Sequence, residues 1–293
     1  MKQVRKRLIL LHHCPHISRL LLSNILKLDP TLQFLFTSSP DKLSTSLRIS
    51  QDKVQKIYRY IIETDVDLLL KKYEQNNIFT TTILDKEYPR LLKEIYDPPF
   101  VLYVKGNLAL FKTRMIAVVG SRDMTVYGNQ SIRKLLPPLI DKQFTIVSGL
   151  AKGIDISAHR ITLENQGRTI AVLGGGILKL YPKEHHAIAD EIGKNHLLVS
   201  EYPPYESPKK YYFPERNRII SGLCEGVIVI EAKERSGSLI TADQAVEQGR
   251  EVFAVPGSIL SVTSRGPNTL IKQGAKLVLQ HEDILEELTP PQY

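Results

Sequence analysis

The chain has 293 residues, of which 42% are hydrophobic and 24% are charged, and its formal net charge is +8. This composition is that of an ordinary globular protein and excludes a collagen-like, disordered or low-complexity chain. Its two cysteines, Cys14 and Cys224, exclude a disulfide framework and are typical of a reducing compartment. No apolar stretch approaches the length of a membrane span and no signal-peptide cleavage site follows the basic start, so we expect a cytoplasmic protein without membrane contact.

The positive charge is concentrated at the front of the chain. Residues 1–95 contain 16 Lys and Arg against 10 Asp and Glu, whereas residues 96–293 contain 23 against 21. A net charge of this sign favours phosphate-rich partners. Because the larger part is nearly neutral, an anion site there has to come from local clustering of cations.

Residues 1–75 predict a small helical domain, with helices near 16–28, 39–47 and 50–62. The last begins with Ser50 as N-cap and spaces Val54, Ile57 and Ile61 along one face. A single basic helical segment supports DNA binding only weakly, so we interpret this part as a contact domain. Residues 76–106 predict a joining segment, because Pro98 and Pro99 break any helix before an extended stretch.

Residues 107–293 predict an α/β fold, a Rossmann-like, mostly parallel sheet with helices on both faces. Predicted strands alternate with predicted helices, which indicates right-handed crossovers. The strands are expected near 115–119, 144–148, 169–173, 196–200, 226–231, 251–255 and 275–279, and the helices near 126–142, 154–165, 184–194, 215–223, 238–249 and 281–288. A dinucleotide fingerprint is incomplete, because Lys179 replaces its third glycine, so we expect no cofactor.

Glycine-rich turns follow the predicted strands and could bind an anion. Backbone N–H groups and the positive end of the next helix meet at such turns. The first two turns supply the candidate phosphate-binding residues Gly120, Ser121 and Arg122, then Ser148, Gly149, Lys152 and Gly153. After the second turn, Asp155 and His159 are expected on the helix face opposite the buried stripe, either as a cap and a surface histidine or as supporting groups.

Two later segments add candidates. The run FPERNRIISG is expected to place Arg216, Asn217 and Arg218 in the first turn of a helix, where two arginines oppose the helix dipole unless an anion is nearby. Ser238 is expected to cap the following helix, with Thr241 on the same turn, as a second oxyanion site. No catalytic triad, metal-ligand cluster or Walker lysine motif occurs, so we expect neither a metal nor enzymatic activity.

An ordered set of segments resembles the family of DNA-processing protein A, also called DprA or Smf. The segments span residues 85–280 and include VVGSRDMTVYG, SGLAKGIDISAH, FPERNRIISGL and SGSLITADQAVEQGREVFAVPG. The resemblance implies a Rossmann-like core after a small helical domain, single-stranded DNA binding, protection of incoming strands, self-association and loading of the RecA recombinase in natural transformation. It also implies a DNA pocket that uses Arg122, Lys152, Lys183, Arg216 and Arg218.

Two further points stay open at this level. Tyr181, Tyr211, Tyr212 and Phe213 are available to stack on bases but could equally be core residues. The alternative function is a nucleotide phosphoribohydrolase of the lysine-decarboxylase-like group, although ERSGSLITADQA lacks that group's glycine cluster and glutamate. For a homodimer we expect the C-terminal sheet edge to provide the interface, with Ile271 and Leu277 facing the partner.

Overall fold

The computed structural model describes residues 2–288, which divide into two compact units. Within the described residues, the first unit contains residues 2–86 and Phe100–Leu102, and the second contains Glu87–Pro99 and residues 103–288. The division falls at Lys86, later than residue 75, and strand β2 (Val101–Gly106) begins in the first unit and ends in the second.

The first unit is a set of short helices and one strand, β1 (Phe79–Thr82). Side-chain oxygens of Ser18, Ser39, Ser50 and Asp65 accept backbone N–H groups at four helix starts, which explains where those helices begin. The helices are α1 (Lys2–His13), α2 (Arg19–Leu28), α3 (Phe34–Thr37), α4 (Pro40–Leu47), α5 (Gln51–Glu63) and α6 (Val66–Glu74). Helix α1 had no counterpart among the predicted helices, and it buries Leu8 to Leu11.

The second unit confirms the predicted alternation of strands and helices. Its strands after β2 are β3 (Met115–Val119), β4 (Thr145–Ser148), β5 (Arg168–Leu173), β6 (Leu197–Ser200), β7 (Gly226–Val229), β8 (Glu251–Ala254) and β9 (Lys276–Leu277). Its helices are α7 (Arg90–Lys93), α8 (Val126–Asp141), α9 (Ile154–Glu164), α10 (His186–Asn195), α11 (Tyr212–Leu223), α12 (Gly237–Glu247), α13 (Arg265–Lys272) and α14 (Glu282–Leu285).

The sheet of this unit is mostly parallel, in the order β2-β6-β5-β4-β3-β7-β8-β9. Only the β2–β6 pair is antiparallel among these strands. Strands β3, β4 and β7 are buried at every residue, as expected for strands covered on both faces. The order reverses at β3, between β4 and β7, so the carboxyl ends of these strands border a crevice of the kind that binds ligands in open α/β sheets.

Candidate nucleic-acid interface

A cavity of about 590 Å³ opens at the carboxyl ends of the central strands. This volume is within the range of ordinary ligand sites. The lining combines cations, aromatic rings and helix starts, and includes Gly120, Arg122, Asp155, Tyr181, Lys209, Lys210, Phe213, Arg216, Asn217, Ser238 and Thr241. Seven of the eleven are predicted phosphate-binding or supporting residues that are far apart in sequence, and the fold brings them together.

The turn after β3 is held against the start of α9. The Ile154 N–H donates to the Ser121 carbonyl at 3.1 Å, and Gly153 has a φ of +72° with no room for a Cβ beside that carbonyl. The Ser121 hydroxyl is buried and exchanges hydrogen bonds with the Asp123 backbone, so it stabilises the turn itself. Arg122 is exposed, and its guanidinium carbon lies 6.0 Å from the centroid of the Phe213 ring.

The expectation that Asp155 and His159 occupy an exposed face of α9 is wrong, because that face is also buried. His159 lies 2.6 Å from the hydroxyl of Thr169, which itself donates to the Ile146 carbonyl, so the histidine donates through Nδ1. Burial lowers the pKa of His159 to about 3. His159 is therefore a neutral core residue and cannot reach a phosphate.

Asp155 differs from His159, since it lines the cavity. Burial raises the pKa of its carboxyl group, while the charge of Arg216 and backbone N–H donors from Ala151 and Gly149 lower it. Asp155 thus accepts hydrogen bonds from the glycine-rich turn after β4 and compensates part of the positive charge beside it.

The remaining candidates of the second turn, and Lys183, are not among the described residues that line the cavity. The Ser148 hydroxyl is buried and donates to the Val118 carbonyl at 2.7 Å. Gly149 leaves space for the guanidinium of Arg216, which a Cβ would overlap. Lys152 is exposed and its Nζ lies 2.9 Å from Glu184, whose hydrogen bond and charge raise the pKa of the lysine. Lys183 is exposed on the following 3₁₀ turn.

The expected position of the arginines at the start of α11 is wrong. The helix begins at Tyr212 and includes Pro214. Proline is tolerated at this position because the N–H groups of the first turn of a helix have no partner within the helix. Arg216 lies beyond that turn, is buried, and donates from Nη1 to the carbonyls of Gly149 and Val172. Burial lowers the pKa of Arg216, Asp155 opposes this effect, and the charge of Arg122 lowers it further.

Arg218 does not belong to the wall of this cavity. Its Nη2 lies 2.7 and 2.8 Å from the two carboxylate oxygens of Glu201, and its Nε lies 3.5 Å from Asp97. All three groups are in the second unit, and both Arg218 and Glu201 are buried. Arg218 is thus an internal ion-pair partner, and its contact with DNA stays a prediction that this geometry does not favour.

The start of α12 forms the opposite side of the cavity. Ser236 provides the cap through its Oγ, so the prediction that Ser238 is the cap is wrong by two residues. Ser238 and Thr241 are nevertheless buried and line the cavity, and the oxyanion site stays a prediction. The Asn217 side-chain amide donates to the Gly237 carbonyl at 3.1 Å and joins α11 to this helix start.

Sequence reasoning missed Lys209 and Lys210 as lining residues. The Lys209 ammonium is engaged by Glu206 at 2.7 Å and by the Tyr212 hydroxyl at 3.0 Å, and Lys210 is exposed. The sequence contains a signal for these cations, since Lys209 and Lys210 directly precede Tyr211 and Tyr212 at the start of the FPERNR motif. Of the aromatics, Tyr181 and Phe213 line the cavity, Tyr211 is exposed, and Tyr212 is buried, its ring centroid 3.7 Å from that of Tyr202.

The C-terminal part of the second unit confirms the predicted sheet edge. Strand β9 pairs with β8 and is the last strand in the order. The side chain of Leu277 is 39% exposed and Ile271 is half-buried. Over residues 2–288, no helix combines the length and apolar character that crossing a bilayer requires.

Comparison with known proteins gives consistent matches. Residues 79–289 match the family model of DNA recombination-mediator protein A. DNA processing protein DprA of Bacillus subtilis is 52% identical over 221 residues, which cover 75% of this chain and 74% of that protein. The crystal structure of DNA processing protein A from Streptococcus pneumoniae matches 99% of this chain and 100% of its own, with 41% identity and a TM-score of 0.87. A structure of the Helicobacter pylori protein, described as showing a unique single-stranded DNA binding mode, matches 72% of this chain and 95% of its own, with 30% identity and a TM-score of 0.65.

Proposed function

The chain belongs to the DNA recombination-mediator protein A family and is a DNA processing protein, and on this premise we propose that it binds single-stranded DNA in the cavity at the carboxyl ends of β3, β4 and β7. The observation that supports this most is the charge balance of the cavity. Arg122 and Arg216 both line it, and their mutual repulsion contributes to the lowered pKa of Arg216.

A bound phosphate would relieve that repulsion. Asp155 is the one acidic residue among the described residues that line the cavity, so the two arginines outnumber it, and Lys210 adds a further cation. Hydrogen bonds between a guanidinium and a phosphate are charge-assisted and geometrically specific. The start of α12, with Ser238 and Thr241, supplies further donors to an anion.

Aromatic rings in the same cavity favour a single strand over a duplex. Phe213 and Tyr181 lie 5.9 Å apart between ring centroids and both line the cavity. Unpaired bases can stack on such rings, whereas the bases of a duplex are already stacked on one another inside a stiff helix. Phosphates would therefore contact the arginines while a base contacts Phe213.

The direct test is a titration of the protein with a single-stranded oligonucleotide and with the corresponding duplex at several salt concentrations. We expect tighter binding of the single strand and a linear fall of log affinity with log salt, because Lys and Arg displace condensed counterions. Equal affinity for the duplex, or affinity that does not change with salt, would contradict the proposal.

We extend the proposal to a recombination mediator that protects incoming single strands, loads the RecA recombinase in natural transformation, and has no catalytic turnover. Self-association through the β9 edge is part of it, because unpaired backbone groups and the exposed Leu277 are available there. The enzymatic alternative is tested separately by incubation with nucleoside monophosphates. Release of the base would favour the phosphoribohydrolase.

A further inference from the structure

Three segments beside the cavity are hydrogen-bonded into one surface. The Tyr127 hydroxyl donates to the Pro256 carbonyl, and the Ala232 N–H donates to the Thr263 carbonyl at 2.7 Å. The buried carboxylate of Glu231 accepts hydrogen bonds from Thr125 and Thr263. The turn that carries Arg122, the end of β7 and the loop 256–262 are thus joined.

This surface exposes large apolar side chains. Ile259 is 84% exposed and Leu260 is 88% exposed, at the tip of the loop that follows β8. Val126, next to Tyr127 at the start of α8, is 75% exposed. Ile259 and Leu260 are consecutive in the chain, and Tyr127 is hydrogen-bonded to the same loop at Pro256, so these exposed apolar side chains indicate a binding surface. We use the name loop surface for these apolar residues, Val126, Tyr127, Ile259 and Leu260, and for the exposed cations Lys233, Arg235 and Arg265 of the same segments.

The same joined segments carry exposed cations. Lys233, Arg235 and Arg265 are exposed on the joined segments. Lys233 pairs with Asp123 at 3.1 Å, and Arg265 lies 3.9 Å from Glu234, whereas Arg235 has no ion-pair partner within residues 2–288. With Arg122 included, four cations face two carboxylates. A positive surface with interleaved apolar groups fits a polyanion that also presents apolar faces, which is the chemistry of single-stranded DNA.

We propose that single-stranded DNA leaving the cavity continues over the loop surface, with phosphates on Arg235 and Arg265 and bases on Tyr127, Ile259 and Leu260. This inference rests on the proposed function, since it extends the path of the strand from Arg122. Paired bases of a duplex could not reach the apolar groups, so the loop surface adds to single-strand preference. It also predicts that affinity depends on the length of the strand.

The test uses oligothymidines of increasing length, from about 4 to about 20 nucleotides, which span the site sizes of comparable single-strand binders. The variants are the double substitution Ile259→Ser with Leu260→Ser, and Arg235→Ala. Leu20→Ser, at a 73% exposed leucine of the first unit, is the matched control. Thermal unfolding checks that each variant is folded, which we expect because the substituted side chains are exposed.

We expect the loop variants to match the wild type on the shortest oligonucleotide that binds and to bind the long ones about tenfold more weakly, which is the low end of the range for one base stacked on an aromatic side chain. Unchanged affinity at every length would overturn the inference while leaving the proposed function intact. Loss of self-association or of recombinase binding at unchanged DNA affinity would also overturn it, because the surface would then bind protein. If the wild type bound no oligonucleotide, the proposed function would fail first.

Discussion

Arg122→Ala is the substitution whose effect follows most directly from the structure. Arg122 is exposed, lines the cavity, and has no carboxylate within ion-pair distance among residues 2–288. Its loss should therefore change the free energy of unfolding by no more than about 0.5 kcal/mol. A hydrogen bond to a charged group contributes about 1.5–3 kcal/mol, which corresponds to a roughly 10- to 150-fold increase in the Kd for single-stranded DNA.

The assay is fluorescence anisotropy of a labelled oligothymidine over a series of salt concentrations. Removal of one phosphate contact should also reduce the slope of log affinity against log salt by about 1. Arg133→Ala is the control, because it removes the same charge from α8 at an exposed arginine that pairs with Glu164 at 2.9 Å. An equal loss of affinity in both variants, or wild-type affinity in a folded Arg122→Ala protein, would refute the reasoning.

Three further predictions concern Lys152, His159 and Leu277. Glu184→Gln should raise single-strand affinity a few-fold, because Lys152 loses its exposed ion-pair partner and becomes available to phosphate; lower affinity in the same titration would contradict this. Below pH 6.5 the unfolded chain binds a proton that native His159, with its pKa of about 3, does not, so the free energy of unfolding should fall by up to ~1.4 kcal/mol per pH unit. Urea unfolding of His159→Asn should show a shallower fall, and an identical pH dependence would argue against a neutral histidine. Leu277→Arg should convert a dimer into a folded monomer in sedimentation, since a charge at the exposed edge opposes pairing; a monomeric wild type would exclude the interface.

The strands were predictable because their burial is complete. Residues Met115–Val119 are apolar and bounded by a glycine, so their position in a covered parallel sheet follows from local sequence alone. The position of β9 at the edge of the sheet was predictable because this strand follows the last crossover connection in the chain. By contrast, the start of α11 was misplaced by three residues, and the first turn of the helix includes Pro214, which is tolerated there.

The partners of buried charges were not predictable from local spacing. Arg218 pairs with Glu201, 17 residues earlier in the chain, and Arg216 donates to carbonyls 67 and 44 residues away. Two arginines of one motif, separated by a single residue, therefore have different surroundings, one beside the cavity and one in an internal ion pair. His159 was misassigned for a related reason, since α9 is covered on both of its faces.

The central claim is that the strand enters the cavity at the carboxyl ends of β3, β4 and β7. The most direct measurement is photo-crosslinking of a 4-thiothymidine oligonucleotide, followed by mass spectrometry of the crosslinked peptides. Our account predicts crosslinks at Phe213, Tyr181 and Lys210, which line the cavity, and their loss when unlabelled single strand competes. Crosslinks confined to the helices of the first unit would contradict it.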